Sequence, residues 1–303
     1  MWRELKRVFF TDEEPKRLRS GWRLGLFVML VLVLTGPMTM VAALSAVVMG
    51  WAPQSLPALL LGQLAFVVAL TLATVIMTRW LDRRPWSSLG LVWDTKAPRE
   101  FLLGVGLASA QMVLLLILVL ALGWGEVVAC TWQTWTWTRA LREFGQALLL
   151  WGMVAWAEEL MLRGYVLQTL EEGLGTLWAW LAQALLFAIL HVLNPAWGPM
   201  PALGLTLAGL YLGQAYLTTR RLWLPMGLHL GWNWAEASLG FPVSGLTNVP
   251  MRLIDLRGYG PELWTGGAFG PEGGLLGIFV ILFGMVVLHQ WARRAQPHTR
   301  PPA

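Results

Sequence analysis

Ionisable and amide side chains interrupt three otherwise apolar stretches of this sequence. They are Glu158, Glu159 and Arg163 in the first stretch, His191 in the second, and His229, Asn233 and Glu236 in the third. A carboxyl group beside imidazoles in apolar surroundings can take a proton from water, because burial brings the pKa of both kinds of group toward neutrality. The residue types therefore point to a site that activates water.

The spacing of these residues indicates which of them can meet. Residues four apart lie on one face of a helix, whereas adjacent residues point about 100° apart. We therefore expect Glu159 and Arg163 to form a pair, which leaves Glu158 turned toward a different neighbour. His229 and Asn233 are also four apart and share a face of their helix. The alternative is that both glutamates only form a buried ion network with Arg163.

Two mechanisms are open to such a cluster, and both hydrolyse an amide bond. In the first, Glu158 removes a proton from water with the assistance of His191. His229 and Asn233 then donate hydrogen bonds to the oxyanion that forms. In the second, Glu158, His191 and His229 hold Zn²⁺ with one position left open for water.

Other designs of membrane protease find no support in the sequence. There is no His-Glu-x-x-His motif, so the usual zinc-binding helix is absent. The four aspartates, Asp12, Asp82, Asp94 and Asp255, all fall outside the apolar stretches. Ser244 has no Gly-x-Ser context, which leaves a serine nucleophile unsupported.

The composition indicates that the elements positioning these residues are membrane helices. The chain has 303 residues, of which 56% are hydrophobic and 13% are charged, and its mean hydropathy is +0.58. Soluble domains are about 25% charged. A disulfide-rich class is excluded because Cys130 is the only cysteine. The sequence therefore predicts an integral membrane protein.

Eight stretches are apolar enough to be read as spans of about 20 residues. They cover residues 24–50, 57–78, 101–125, 144–170, 177–193, 201–219, 222–239 and 274–291. The predicted fold class is an all-α, polytopic bundle of about eight transmembrane helices.

Lys and Arg are distributed unevenly between the connections. With eight spans, 16 basic residues lie on the side of the two termini and 4 on the opposite side. By the positive-inside rule both termini are cytoplasmic. This bias also explains the pI of 9.9 without a nucleic-acid partner. The predicted segments are a basic cytoplasmic N-terminal segment (1–22), N-terminal transmembrane helices (23–140), core helices (141–240), an extracytoplasmic loop (241–273), and a last transmembrane helix with a basic tail (274–303).

The polar residues form three motifs that resemble a known family. Glu158-Glu159-x-x-x-Arg163, Phe187-x-x-x-His191 and His229-x-x-x-Asn233 follow one another on successive helices. In this order they are similar to the motifs of the CPBP family, which comprises the type II CAAX prenyl endopeptidases and their bacterial, ABI-type relatives. The resemblance covers residues 141–238.

The resemblance implies an intramembrane endopeptidase. Glu158 and His191 would activate water, His229 and Asn233 would stabilise the transition state, and Glu159 and Arg163 would support them. The family is often labelled as metalloproteases, although a metal-free glutamate mechanism also fits its motifs. The substrate would be a peptide or protein that reaches the site from the lipid bilayer, and the bacterial relatives point to the plasma membrane of a prokaryote.

Two other functions are compatible with buried Glu and His residues. A proton-coupled transporter uses such residues as relays, but internal repeats and paired broken helices, which are typical of transporters, are not visible. In a non-catalytic membrane scaffold the histidines would serve packing alone. The sequence leaves open the role of Glu236 and whether Gly209-x-x-x-Gly213 packs within the chain or between chains.

Overall fold

The computed structural model describes residues 17–53, 55–247 and 252–295. Its α-helices are α1 (Ser20–Val48), α2 (Leu56–Ile76), α3 (Ala97–Ala121), α4 (Trp137–Glu159), α5 (Leu167–Leu174), α6 (Thr176–Ile189), α7 (Pro199–Thr219), α8 (Trp223–Ser238), α9 (Glu262–Thr265) and α10 (Leu275–Ala295). Two π-helical segments, Met77–Leu81 and Leu160–Val166, extend α2 and connect α4 to α5. Short 3₁₀ turns cover Trp86–Leu89, Thr131–Thr134 and Pro271–Gly273.

The predicted all-α membrane bundle is confirmed, and each predicted span coincides with helical structure. Within the described ranges, four helices are long and apolar enough to cross a bilayer by themselves: Ser20–Val48, Leu56–Leu81, Ala97–Ala121 and Leu275–Arg294. Helices α6 and α8, with 14 and 16 residues, are shorter than the predicted spans. At 1.5 Å per residue α8 reaches about 24 Å, less than the roughly 30 Å of a hydrocarbon core.

One small sheet was not predicted. Strands β1 (Glu126–Cys130) and β2 (Ile254–Arg257) pair antiparallel, with Glu126 opposite Arg257. The ribbon ties the connection after α3 to the loop before α10.

Helix α8 carries His229 and lies against α3 in the most extensive helix pair of the fold. Glycines permit this close approach. A Cβ atom at Gly227 would lie 2.1 Å from the carbonyl oxygen of Phe101, and one at Gly231 would lie 2.6 Å from that of Val105. Because α8 is wedged against α3, its polar face is held at a fixed position inside the bundle.

The Gly209-x-x-x-Gly213 motif packs within the chain. A Cβ atom at Gly209 would lie 2.8 Å from the Cα atom of Ala184, and one at Gly213 would lie 2.7 Å from the ring of Trp180. Both contacts bring α7 against α6, the helix that leads to His191. The motif therefore helps to position the site.

Ion pairs join the helix ends that were predicted to share a side of the membrane. Arg23 at the start of α1 lies 2.7 Å from Asp82, just after α2 and its π segment. At the end of α7, Arg220 lies 2.6 Å from Glu171, and the neighbouring Arg221 contacts residues around the start of α3. These connections meet on one face, and its cytoplasmic orientation stays a prediction. Of the basic terminal segments, residues 1–16 and 296–303 lie outside the described ranges.

Candidate active site

A cavity of about 350 Å³ lies between α2, α4, α7, α8 and the turn after α6. Its polar lining includes Glu158, His191, His229 and Asn233, so the structure brings together the four residues expected to act on water and substrate. Most of the wall is apolar, and its large side chains are Phe66, Trp151, Phe187, Trp232 and Ile281. The cavity thus combines an apolar interior with a few convergent polar groups, as small-molecule and peptide sites commonly do.

Glu159 is the carboxylate on which the buried cations of the site converge. Its Oε1 accepts hydrogen bonds from Nη1 of Arg163 and from Nδ1 of His229, each at 2.8 Å. Glu159 and Arg163 are fully buried, and His229 is 6% exposed. The expected pairing of Glu159 with Arg163 is present. The bond to His229, which the spacing did not predict, fixes the orientation of that imidazole.

Glu158, the neighbouring residue on the same helix, lines the cavity and approaches the opposite nitrogen of the His229 ring. Its Oε2 is buried and, within the described part of the chain, accepts no hydrogen bond. This oxygen lies 3.9 Å from Nε2 of His229, which is too long for a direct hydrogen bond. Of the two adjacent glutamates, one is therefore neutralised by Arg163 and the other is left free for a ligand.

His191 lies in the turn after α6, so its predicted place inside a helical span was wrong. Helix α6 ends at Ile189, and the chain turns before α7. Nδ1 of His191 donates to the carbonyl oxygen of Phe187 at 2.8 Å, because a carbonyl can only accept. Asn194 in the same turn donates from Nδ2 to the carbonyl oxygen of Ser244 at 2.9 Å. The turn is thus tied to the loop after α8, and Nε2 of His191 remains available.

A carbonyl on α7 links the site to its supporting helices. The backbone oxygen of Gly209 accepts from Nη2 of Arg163 at 3.0 Å and from Nε2 of Gln183 at 2.9 Å. The guanidinium of Arg163 also lies over the ring of Phe187, at 5.0 Å from its centroid. These contacts fix the positions of α4, α6 and α7 relative to one another around Glu159.

The sequence analysis missed one acidic cavity residue, Glu272, and considered its neighbour Ser244 only as a nucleophile. Ser244 and Glu272 both line the cavity, from the loop before α10. Glu272 was overlooked because only ionisable residues inside the predicted spans were considered. Its Oε1 accepts from the backbone nitrogen and the hydroxyl of Ser244, at 2.9 and 2.5 Å. Glu236, whose role the sequence left open, is fully buried and does not line the cavity.

The two histidines of the cavity are candidate ligands for a metal ion. His191 and His229 each engage Nδ1 with an acceptor, an arrangement also found in metal-bound histidines. However, no three His, Cys, Asp or Glu side chains in the described ranges are grouped closely enough to hold a metal. The structure therefore offers two well-oriented imidazoles but no assembled metal-binding group.

Comparison with known families identifies the core of the chain. Residues 140–235 match the model of the type II CAAX prenyl endopeptidase, Rce1-like family. The core is Rce1-like. This confirms the resemblance found in the sequence motifs, and the matched region runs from α4 to α8 and includes all six predicted site residues. The match and the long apolar helices support an integral membrane protein whose core is similar to the CAAX-type peptidases. A search of curated proteins found no match.

Proposed function

We propose that the chain is an intramembrane endopeptidase in which Glu158 activates water for attack on a peptide bond. The observation that carries this proposal is the free Oε2 of Glu158, which is buried in the cavity wall and points to the same space as Nε2 of His229. An ionised carboxylate held without a donor in an apolar cavity is a strong proton acceptor. A water molecule is the natural donor in a peptidase site.

The charge balance of the cluster favours a protonated His229. Glu158 and Glu159 together carry two negative charges, whereas Arg163 supplies one positive charge. Protonation of His229 restores neutrality, and Glu159 already accepts its Nδ1–H. The remaining Nε2–H is then directed into the cavity, where it can donate to a substrate oxygen.

The catalytic cycle uses these groups in sequence. Glu158 takes a proton from water as the water oxygen bonds to the scissile carbonyl carbon, with His191 accepting a hydrogen bond at Nε2. Nε2–H of His229 and the side-chain amide of Asn233 hold the resulting oxyanion. When the C–N bond breaks, the proton on Glu158 moves to the leaving amine. Glu159 acts by keeping His229 oriented and charged, and Arg163 acts by holding the carboxylate of Glu159 in place.

Zinc would supply the same polarisation of water in a different way. If the protein binds it, Glu158, His191 and His229 are the residues that would hold the ion, and Glu159 would then orient a neutral His229. Metal analysis of active protein together with a chelator titration distinguishes the two forms. Full activity in samples that contain far less than one metal ion per chain supports the glutamate mechanism. Activity that rises and falls with the metal content overturns it.

The substrate proposed for this site is a peptide segment that enters from the bilayer. The apolar wall formed by Trp151, Phe187 and Trp232 suits side chains that leave lipid for the cavity. The membrane itself is therefore a partner, and we propose the plasma membrane of a prokaryote as its location.

The test compares purified wild type, Glu158→Gln and the matched surface variant Glu126→Gln on a quenched peptide library in detergent. Glu126 is exposed and pairs with Arg257 far from the cavity. We expect turnover by wild type and Glu126→Gln and none by Glu158→Gln. Equal turnover by all three would remove Glu158 from the mechanism. Absence of turnover combined with proton-dependent uptake into liposomes would favour a transporter.

A further inference from the structure

A second pair of carboxyl groups lies beside the cavity, outside the three motifs. Glu236 on α8 is fully buried and Glu272 is 3% exposed. A Cβ atom at Gly270 would lie 3.1 Å from Oε1 of Glu236 and 3.1 Å from Oε2 of Glu272, so the two carboxyl groups face each other there. Their interaction is repulsive when both are charged. No Lys, Arg or His in the described ranges forms an ion pair with either of them.

The hydrogen bonds assign the charge of this pair. Glu272 Oε1 accepts two donors, the backbone N–H and the hydroxyl of Ser244. The carboxyl group of Glu236 has no such pair of donors, and its neighbours are the carboxyl group of Glu272 and the indole of Trp232. Donors stabilise an ionised carboxylate, and two adjacent buried carboxyls cannot both be ionised. The two carboxyl groups therefore share one proton, and the pair carries one net negative charge.

This charge borders the cavity without a counter-ion. Glu272 lines the cavity wall, and its buried Oε2 lies beside the carboxyl group of Glu236 rather than beside a basic side chain of the described residues. A buried charge of this kind is costly until a cation neutralises it. An amidinium, guanidinium or ammonium group in the cavity would be such a cation.

We propose that Glu272, held by two hydrogen bonds from Ser244 and paired with Glu236 at the cavity wall, is a subsite for a basic group of the substrate. This inference rests on the proposed peptidase function for the identity of the substrate. The subsite explains why a second acidic residue, supplied by the loop before α10, borders the cavity.

The distance along α8 indicates which residue of the substrate would carry the basic group. Glu236 follows His229 by seven residues, which corresponds to about 10 Å along the helix. An extended peptide advances about 3.3 Å per residue. A lysine or arginine about three residues from the scissile bond would therefore reach Glu272 while its scissile carbonyl lies at His229.

A small cation tests the subsite without any need for catalysis. Benzamidine carries a planar amidinium on an aromatic ring, and benzamide is its uncharged analogue. We expect benzamidine, but not benzamide, to raise the thermal unfolding midpoint of wild type in detergent. The rise should persist in Glu236→Gln, which keeps a neutral donor beside Glu272, and it should disappear in Glu272→Gln.

Glu158→Gln identifies which carboxylate binds the probe, because Glu158 lines the same cavity. Retention of the rise in Glu158→Gln supports the subsite. No rise with wild type, a rise that survives in Glu272→Gln, or a rise lost only in Glu158→Gln would each overturn it.

Peptide cleavage provides a second readout, independent of the unfolding midpoint of the variants. We expect kcat/KM to be about tenfold or more higher for a peptide with lysine at the third position from the scissile bond than for its norleucine analogue. Glu272→Gln should abolish this preference and Glu236→Gln should keep it. Benzamidine binding through Glu272 without any peptide cleavage would refute the peptidase and leave the cation subsite. Cleavage with neither lysine preference nor benzamidine binding would refute the subsite alone.

Discussion

Replacement of Glu159 by Gln removes the charge on which Arg163 and His229 converge but preserves the size of the side chain. Oε1 accepts two hydrogen bonds at 2.8 Å, one from each cation. In the variant the neutral amide oxygen is a weaker acceptor, and its nitrogen is a donor facing donors. We therefore expect His229 to lose its proton and, with it, the Nε2–H that holds the oxyanion.

Glu159→Gln should lower both kcat and the free energy of unfolding. Loss of one oxyanion donor lowers kcat by about 10²–10³, or roughly 3–4 kcal/mol. Removal of one partner of a buried ion pair costs about 3–5 kcal/mol of folding free energy. The lower end applies here, because Arg163 retains its hydrogen bond to the backbone of Gly209. Since domains are stable by about 5–15 kcal/mol, the variant should still fold.

The assay measures kcat and KM on one cleaved peptide, together with the unfolding midpoint in detergent. Glu143→Gln is the matched control, since Glu143 lies on the same helix α4 and, among the described residues, forms an ion pair only with Arg142, at 3.9 Å. We expect a large fall in kcat with little change in KM for Glu159→Gln, and wild-type values for the control. A kcat within about threefold of wild type, equivalent to less than roughly 0.7 kcal/mol, would refute the role given to Glu159.

Three further predictions concern the scaffold. Gly209→Ala forces a Cβ atom against helix α6 and should destabilise the protein by about 1–3 kcal/mol, whereas Gly106→Ala, which has open space around it, should not; thermal unfolding in detergent checks both. Asn194→Ala removes the hydrogen bond that ties the turn carrying His191 to the loop after α8, so kcat should fall several-fold while the unfolding midpoint changes little. Kinetics and unfolding are measured on the same sample. The hydrogen bond from Arg221 holds the pKa of Asp94 in the folded protein below its usual value. This interaction therefore stabilises the fold at pH values above the pKa that Asp94 has in the unfolded chain. The stabilisation is lost as the pH falls through the pKa of Asp94 in the folded protein. The unfolding midpoint should therefore decline below about pH 4 more in wild type than in Asp94→Asn.

Local periodicity was sufficient to predict the helices and the pair formed by Glu159 and Arg163, because four-residue spacing is set by helix geometry alone. It also placed Glu158 on a separate side of α4. The hydrogen bond from His229 to Glu159 joins residues 70 positions apart. Such contacts depend on how α8 packs, and the glycines that determine this packing gave no periodic signal.

The errors have physical causes as well. His191 was assigned to a helix because the apolar run continues past Ile189, yet the chain leaves the helix there and the imidazole bonds to the carbonyl of Phe187. Glu272 lies in a polar, glycine-rich loop, where a carboxylate is ordinarily solvated. Only the packing of that loop against α7, where Gly204 lies next to the backbone of Glu272, buries it beside the cavity.

The most direct test of the central claim is mass spectrometry of the fragments formed in ¹⁸O-labelled water. If Glu158 activates water, wild type adds one labelled oxygen to the new carboxyl group at a single bond, and Glu158→Gln yields no fragment above background. Labelled fragments formed by Glu158→Gln at the wild-type rate would contradict the account.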